Sequence, residues 1–288
     1  MEEKRRIKIP DNLFDMIIEL KSFHSPRSSV YKSLKSLLIN TFSNIMYKEE
    51  CIPVEFPYFG VLIFPYRKMG AIDTIDFFGI DELIIFSFYW FNRNKYKRVC
   101  DAGSNIGLQG IFLDRCGYEV ESFEPDVQQY NWQKFLFQQN SVTNVNSHNS
   151  ALSSKSGTMD FIRVLGNTTS SHIAGSKKNP YGELETFPVK VESFYEYAKN
   201  VDLCKMDVEG HERQIIENMP AKLFDTLDII LEVGNQENAE AIFSYIKSVN
   251  VNMFSQLKNW NRVESIEDMP FSYKDGSLFI TKKDFFPL

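Results

Sequence analysis

Residues 98–107 narrow the folds open to this chain more than any other stretch. An apolar run ends at Asp101, and a turn containing Gly103 and Gly107 leads at once into a segment that suits a helix. Glycine in such a turn lets the backbone approach a ligand, because no Cβ is in the way. The start of the helix offers unpaired N–H groups and a partial positive charge. The sequence therefore predicts a strand, a tight turn and a helix N-terminus beside a bound ligand.

A second predicted strand, residues 118–123, ends in Glu124 and Pro125. A carboxylate at the end of this strand suits a ribose, because it can accept hydrogen bonds from both hydroxyls of the sugar. The turn and the carboxylate together predict a cofactor that contains a nucleoside.

Two residues of the turn decide between the common nucleoside cofactors. A dinucleotide site usually needs G-x-G-x-x-G, and Asn105 stands where its second glycine would be. Asp101 would also repel a pyrophosphate. S-adenosylmethionine carries a sulfonium and an ammonium, has no phosphate and still has a ribose. We therefore predict S-adenosylmethionine as the cofactor, and an NAD-dependent oxidoreductase is disfavoured.

Further motifs resemble those of the FkbM family of S-adenosylmethionine-dependent methyltransferases. The resemblance covers roughly residues 78–283, and its most specific part is Lys-x-Asp-x-Glu-Gly-x-Glu at residues 205–212. Ser104 stands where the family often has alanine. The other segments that carry the resemblance are residues 99–107, 123–125, 149–152 and 230–233, together with Asn140 and Asn144.

The resemblance implies an α/β fold with a doubly wound, mostly parallel, seven-stranded sheet of the Rossmann-like class I methyltransferase type. It also implies a place for each part of the cofactor. Six residues would lie at the methionine part: Asp101, Gly103, Ser104, Asn105, Gly107 and Asp207. Glu124 would hold the ribose, and the adenine would be flanked by Asn149, Ser150 and Ala151.

The pattern of apolar residues agrees with such a fold from residue 98 onward, because predicted strands and helices alternate there. We predict strands near residues 97–102, 118–123, 144–149, 201–206 and 227–233, with helices near residues 106–116, 126–139, 210–218 and 236–248. Two further strands, residues 158–164 and 187–191, flank a long polar loop at 166–185. Loops of this length are usually functional or disordered, and we expect this one to lie over the cofactor.

The chain divides near residue 95, which predicts an N-terminal extension at 1–95 and a methyltransferase domain at 96–288. The apolar pattern of the extension predicts helices within residues 1–50 and a hairpin at 52–65. The resemblance favours a further helix at 81–91. Many Lys and Arg residues between 4 and 35 would suit a membrane-surface helix or an acidic partner. We favour the simpler interpretation, a solvated face on a helical cap or on an arm that forms a homodimer.

Transfer of a methyl group to an alcohol needs a positioned acceptor and a base near neutral pH. Ligands bind at the carboxyl ends of parallel strands, where the motif at 205–212 places Glu209 and His211. We predict His211 or Glu209 as the general base, with His172 of the polar loop in reserve. The family's usual substrates imply O-methylation of a sugar hydroxyl on a glycan or of a natural product.

Two other functions stay open at this stage. Asp207, Glu232 and Asn235 could supply oxygen ligands for Mg²⁺ in a metal-assisted methyltransferase, although no metal is predicted from their dispersed spacing. A methyltransferase-like module without activity would be expected to have lost the glycine turn or the ribose acid, and both are intact.

Composition sets broad limits on partners and location. The formal net charge of −6 disfavours nucleic acid as an electrostatic partner. The four cysteines, Cys51, Cys100, Cys116 and Cys204, form no C-x-x-C pair, and we predict buried free thiols in a reducing compartment. No secretory signal is evident, and the longest apolar stretch is too short to span a bilayer. We therefore expect a cytoplasmic protein.

Overall fold

The computed structural model describes residues 7–46, 53–69, 72–167, 170–177 and 182–288. Cys51 and the basic residues at 4–6 lie outside these ranges. The N-terminal elements are β1 (Ile7–Lys8), α1 (Leu13–Glu19), α2 (Ser29–Met46), β2 (Val54–Phe56), β3 (Gly60–Leu62) and α3 (Ile80–Asn92).

The remaining elements alternate as predicted, with an excursion in the middle. The first part contains β4 (Arg98–Ala102), α4 (Leu108–Arg115), β5 (Glu119–Phe123), α5 (Val127–Gln139) and β6 (Val145–His148). The excursion contains β7 (Ala151–Ser153), β8 (Gly157–Val164), β9 (His172–Ile173) and β10 (Leu184–Ser193). The last part contains α6 (Phe194–Ala198), β11 (Leu203–Met206), α7 (Glu212–Ile216), β12 (Asp228–Glu232), α8 (Gln236–Ser248), β13 (Asn252–Ser255), β14 (Asn261–Arg262) and β15 (Ser277–Thr281).

The central sheet has eight strands in the order β14-β13-β15-β12-β11-β4-β5-β6. The five predicted core strands are confirmed, and they form one parallel run from β12 to β6. β15 is antiparallel to both of its neighbours, and β14 is antiparallel to β13. The prediction of seven strands is therefore corrected to eight, in a mixed sheet. The extra strand, β14, has only two residues and lies at the edge of the sheet. Two residues are too few to show an alternating pattern, so the sequence did not predict this strand.

Both faces of the sheet are covered, which explains why β4, β11 and β12 are buried almost throughout. Val99 and Leu203 face one apolar cluster, which includes residues of α3 and α4. Cys100 and Cys204 face the other, which includes residues of α6, α7 and α8. The two cysteines pair in register on neighbouring strands and are free buried thiols, as predicted.

The excursion forms a second, four-stranded sheet in the order β7-β10-β8-β9. The predicted strands at 158–164 and 187–191 are confirmed within β8 and β10. The predicted loop at 166–185 is wrong in one part, because it contains β9, which pairs with β8. Two residues are too few to show an alternating pattern.

Buried residues of α1, α2, β2 and β3 belong to the apolar cluster that contains Val99 and Leu203. These N-terminal elements therefore pack against that face of the central sheet. The predicted hairpin is confirmed as β2 and β3, and β1 pairs with β2 in parallel. The ring of Phe56 packs edge-on against Phe112 of α4, with 5.6 Å between the ring centroids. The division near residue 95 and the homodimer stay predictions. No helix among the described residues is long and apolar enough to cross a membrane.

Candidate active site

A crevice lies where β4, β5 and β11 end. Eight of the predicted site residues line it: Gly103, Asn105, Glu124, Ala151, His172, Asp207, Glu209 and His211. Apolar side chains from β5, β7, β8 and β9 complete the lining: Phe123, Leu152, Phe161 and Ile173. The excursion therefore covers the crevice, as predicted for its polar loop.

The turn after β4 depends on Gly103, whose φ is +81°. A Cβ at this position would lie 1.8 Å from the backbone oxygen of Asp207. The turns after β4 and β11 thus touch through their backbones, which only glycine permits. This contact brings Asn105 and Asp207 to the same crevice.

Glu124 is fixed in the crevice wall by two backbone groups. Its Oε2 accepts a hydrogen bond from the N–H of Asn105 at 2.8 Å, and its Oε1 accepts one from the N–H of Asp126 at 2.8 Å. The residue is 6% exposed, and burial raises the pKa of its carboxyl to about 8. Each carboxylate oxygen has a second lone pair, so it can accept one more hydrogen bond.

Unpartnered polar atoms cluster at this crevice. Of eleven buried side-chain nitrogen or oxygen atoms without a hydrogen bond in the described residues, four belong to Asn105, Gln129, His172 and Asp207, which line it. Two more are the carboxylate oxygens of Asp101, at the end of β4. Buried polar groups in native proteins nearly always have a partner. The cluster therefore marks a site that a polar ligand would complete.

The polar end of the crevice is electronegative. Lys205 lies beside Asp101 in the sheet register, and its Nζ is 3.2 Å from Oδ2 of Asp207. Burial opposes the charged form of Lys205, but the carboxylates of Asp207 and Asp101 hold its pKa above the usual value. Burial raises the pKa of Asp101 to about 6 and that of Glu209 to about 7. A cationic ligand would relieve the repulsion among these acids.

The two candidate histidines differ in their hydrogen bonds. His211 uses both ring nitrogens, with Nε2 2.8 Å from Oγ of Ser153 and Nδ1 3.1 Å from Oγ of Ser176. His172 uses one, because its Nδ1 donates to the backbone oxygen of Ser170 at 2.9 Å and its Nε2 has no partner. Since a carbonyl oxygen only accepts, the proton of neutral His172 is on Nδ1, and Nε2 has a free lone pair. Burial lowers the pKa of His172, which favours this neutral form.

Glu209, the other predicted base, is engaged. It forms an ion pair with Lys177 and accepts a hydrogen bond from the hydroxyl of Tyr273 at 3.0 Å. The other histidines, His24 and His148, do not line the crevice. His24 is bonded to the backbone oxygen of Ile17, and His148 pairs with Glu121.

Five predicted cofactor residues do not line the crevice: Asp101, Ser104, Gly107, Asn149 and Ser150. Ser104 accepts a hydrogen bond from Gln133 at 2.6 Å, and Ser150 donates one to Glu192 at 2.8 Å. Asn149 donates to the backbone oxygen of Glu124 at 2.9 Å. A Cβ on Gly107 would lie 2.7 Å from the side chain of Gln133.

Sequence reasoning missed Gln129, which lines the crevice from α5 and is 3% exposed. A single glutamine in a helix of mixed polarity gives no signal of burial. Of the three residues considered as alternative Mg²⁺ ligands, Asn235 caps α8, because its Oδ1 accepts from the N–H of Asn238 at 2.9 Å. No group of three or more His, Cys, Asp or Glu side chains in the described part of the chain is arranged to hold a metal ion.

Comparisons with known proteins give a family and several similar folds. A family model described as the methyltransferase FkbM domain matches residues 101–262. No curated protein matches the chain. Among solved structures, the chain is similar to methyltransferase FkbM from Methylobacillus flagellatus, with 10% identity and a TM-score of 0.41 over 88% of this chain and 61% of that one.

Two further solved structures are similar at the same level. One is the SAM-dependent methyltransferase from Agrobacterium tumefaciens, with 8% identity and a TM-score of 0.39 over 71% of this chain and 63% of that one. The other is precorrin-6y C5,15-methyltransferase from Geobacter metallireducens, with 7% identity and a TM-score of 0.38 over 69% of this chain and 88% of that one. The chain thus spans less than two thirds of the length of the first two proteins.

Proposed function

The chain belongs to the methyltransferase FkbM domain family, and on that premise we propose that it transfers a methyl group from S-adenosylmethionine to a hydroxyl of a sugar or natural product. The observation that carries the proposal is the cluster of unpartnered buried polar atoms around the crevice. The acids at its polar end suit a cation, and its apolar lining suits an adenine. A pyrophosphate would face the same acids and be repelled.

Three parts of the crevice suit three parts of the cofactor. The carboxylate of Glu124 has acceptor capacity left for the two ribose hydroxyls. Asp101 and Asp207 have oxygens without partners that suit an ammonium group. Phe123, Leu152, Phe161 and Ile173 offer apolar surface to the adenine, with the amide of Gln129 beside it. These assignments are part of the proposal.

We assign the general base to His172. The cofactor, when bound, supplies an activated methyl group on a sulfonium. His172 would accept, at Nε2, the proton of the acceptor hydroxyl as the oxygen of that hydroxyl forms a bond to the methyl carbon. The bond between that carbon and the sulfonium sulfur would break, and the cofactor would leave as a neutral thioether. The backbone oxygen of Ser170 holds Nδ1–H and stabilises the resulting imidazolium. Both ring nitrogens of His211 already have partners, and Oε2 of Glu209 accepts from Lys177 and Tyr273.

Replacing Glu124 by glutamine is expected to weaken S-adenosylmethionine binding by about 1–3 kcal/mol, which is roughly 5- to 150-fold in Kd. The new amide places an N–H₂ group where the carboxylate accepts backbone hydrogen bonds and where the ribose would donate. Isothermal titration calorimetry measures the change. Glu121→Gln is the matched control, because Glu121 lies on the same strand but pairs with His148 outside the crevice.

The pH dependence of this affinity is a second readout of the same substitution. In the free protein, burial raises the pKa of Glu124 to about 8, whereas donation by the ribose favours the ionised form. The affinity for S-adenosylmethionine should therefore be higher at high pH. We expect it to be roughly tenfold lower at pH 6.5 than at pH 8. The ionisable groups of the ligand contribute equally to the pH profiles of wild type and of Glu124→Gln. The difference between the two profiles therefore reports on Glu124 alone. Equal affinity and equal profiles for wild type and Glu124→Gln would contradict the ribose assignment.

A further inference from the structure

Three consecutive residues of the turn after β11, Glu209, Gly210 and His211, contact the same short segment of the excursion. Glu209 forms its ion pair with Lys177, and Nδ1 of His211 is 3.1 Å from Oγ of Ser176. A Cβ on Gly210 would lie 2.7 Å from the backbone oxygen of Ser176. The turn after β11 therefore receives Ser176 and Lys177, which follow β9, and this contact joins the four-stranded sheet to the central sheet.

The backbone of this turn is held in an unusual conformation. Glu209 has a φ of +53°, and Gly210 has a φ of +100°. The left-handed region is uncommon for residues other than glycine, and it persists only where the surrounding contacts fix it. Glu209 has two such contacts, the ion pair with Lys177 and the hydrogen bond from the hydroxyl of Tyr273 at 3.0 Å. The turn thus presents the carboxylate of Glu209 to Lys177.

Lys177 also reaches the group that orients His172. Its Nζ is 3.2 Å from Oγ of Ser170 and 3.4 Å from the backbone oxygen of Ser170. The same backbone oxygen accepts the hydrogen bond from Nδ1 of His172 at 2.9 Å. A carbonyl oxygen has two lone pairs, so it can accept from both groups at once. Lys177 therefore links Glu209, which follows a strand of the central sheet, to the oxygen that holds the ring of His172.

The charge of Lys177 also favours the neutral form of His172. Burial lowers the pKa of His172, and the positive charge of Lys177 lowers it further. The side chains of Lys177 and Glu209 are 19% and 23% exposed, and charges that are partly buried in this way are screened less than those on the surface. A general base must be neutral before it can accept a proton, so both effects keep His172 ready.

We propose that Lys177, held by Glu209, is the positioning residue of His172: it fixes the backbone oxygen of Ser170 and thereby keeps the proton of neutral His172 on Nδ1. This inference rests on the proposed function, in which His172 is the base. His172 belongs to the four-stranded sheet, whereas the acids proposed to bind the cofactor follow strands of the central sheet. A displacement of about 1 Å between reacting groups is costly, so the base needs a contact between the two sheets. In this role Glu209 supports the base without taking the proton.

Nitrogen-15 NMR of the full-length protein, labelled at its histidines, measures the tautomer of His172 without cofactor or acceptor. His172→Asn identifies its signals among those of the four histidines. In wild type we expect the proton of neutral His172 on Nδ1. In Lys177→Met the ratio of the Nδ1–H form to the Nε2–H form should fall at least about fivefold, the weight of one hydrogen bond. Lys177→Arg keeps the charge and the N–H donors, so it should restore most of the ratio.

Lys190→Met is the matched control. Lys190 also pairs with a glutamate of the four-stranded sheet, Glu192 at 2.8 Å, but it does not line the crevice. This variant should leave the tautomer of His172 unchanged. Urea denaturation shows whether each variant folds. The double variant Lys177→Met/Glu209→Gln leaves no buried carboxylate without a partner. It should shift the ratio as Lys177→Met does, and it decides the question if Lys177→Met does not fold.

Four results would overturn the inference: a wild-type His172 with its proton on Nε2, a ratio that the folded Lys177 variant leaves unchanged, an equal loss in Lys177→Met and Lys177→Arg, or the same loss in Lys190→Met. A calorimetric titration of the wild-type protein with S-adenosylhomocysteine separates this from the proposed function. If the titration shows no binding, the proposed function fails whatever the NMR spectra show. If it shows binding and the tautomer of His172 does not respond to Lys177, only the positioning role of Lys177 fails.

Discussion

Replacing Gly103 by alanine is expected to lower the free energy of unfolding by about 2–4 kcal/mol and to abolish cofactor binding. A Cβ there would lie 1.8 Å from the backbone oxygen of Asp207, so the turns after β4 and β11 must separate. That separation would move Asn105 and Asp207 apart at the polar end of the crevice. Urea denaturation measures the first effect, and calorimetry with S-adenosylmethionine measures the second.

Gly117 offers the matched control for this substitution. Its φ of +82° is almost the same as that of Gly103, but a Cβ would have no neighbour within 4 Å. Gly117→Ala should therefore show only the backbone strain, about 1 kcal/mol, with normal cofactor affinity. If both variants lose the same stability and both still bind the cofactor, the contact between the two turns is not what the site needs.

Replacing His172 by asparagine is expected to lower kcat by about 10²–10⁴-fold on an acceptor that the wild-type protein methylates. The asparagine amide can still donate to the backbone oxygen of Ser170, whereas the base at Nε2 is lost. Cofactor affinity should change little. Wild-type kcat should fall at acidic pH as Nε2 becomes protonated, and this limb of the profile should vanish in the variant. Initial rates with methyl-tritiated S-adenosylmethionine measure both effects.

The competing assignment is His211, and His211→Asn is the direct comparison. Its two serine partners make it part of the crevice wall in our account, so KM for the acceptor should rise more than kcat falls. His148→Asn should change kcat and KM little, because His148 does not line the crevice. If His172→Asn turns over at a near-normal rate and His211→Asn does not, the base is His211.

The pattern of apolar and polar residues was enough to predict those residues of the candidate site that lie in the turn directly after a strand. The turn at 101–107, Glu124 and the acids after β11 each follow a strand, and parallel strands bring their carboxyl ends together. The same reasoning gave the order of core strands and helices. The two-residue strands β9 and β14 were missed because such pairs form only when tertiary contacts place them.

The choice of base could not be read from the sequence, because it depends on partners far along the chain. His211 follows the motif directly, which made it the first candidate, but Ser153 and Ser176 come from other segments and occupy its nitrogens. His172 has a free nitrogen because its only partner is local, two residues away. Gln129 is buried only because α5 lies against the crevice.

The crystal structure of the protein with saturating S-adenosylhomocysteine tests the central claim most directly. The account predicts the nucleoside in the crevice, with both ribose hydroxyls within about 2.5–3.2 Å of the carboxylate oxygens of Glu124. The amino group of the ligand should lie against Asp101 or Asp207, because both carboxylate oxygens of Asp101 and Oδ1 of Asp207 lack partners without it. An empty crevice, or a ribose bound away from Glu124, would contradict it.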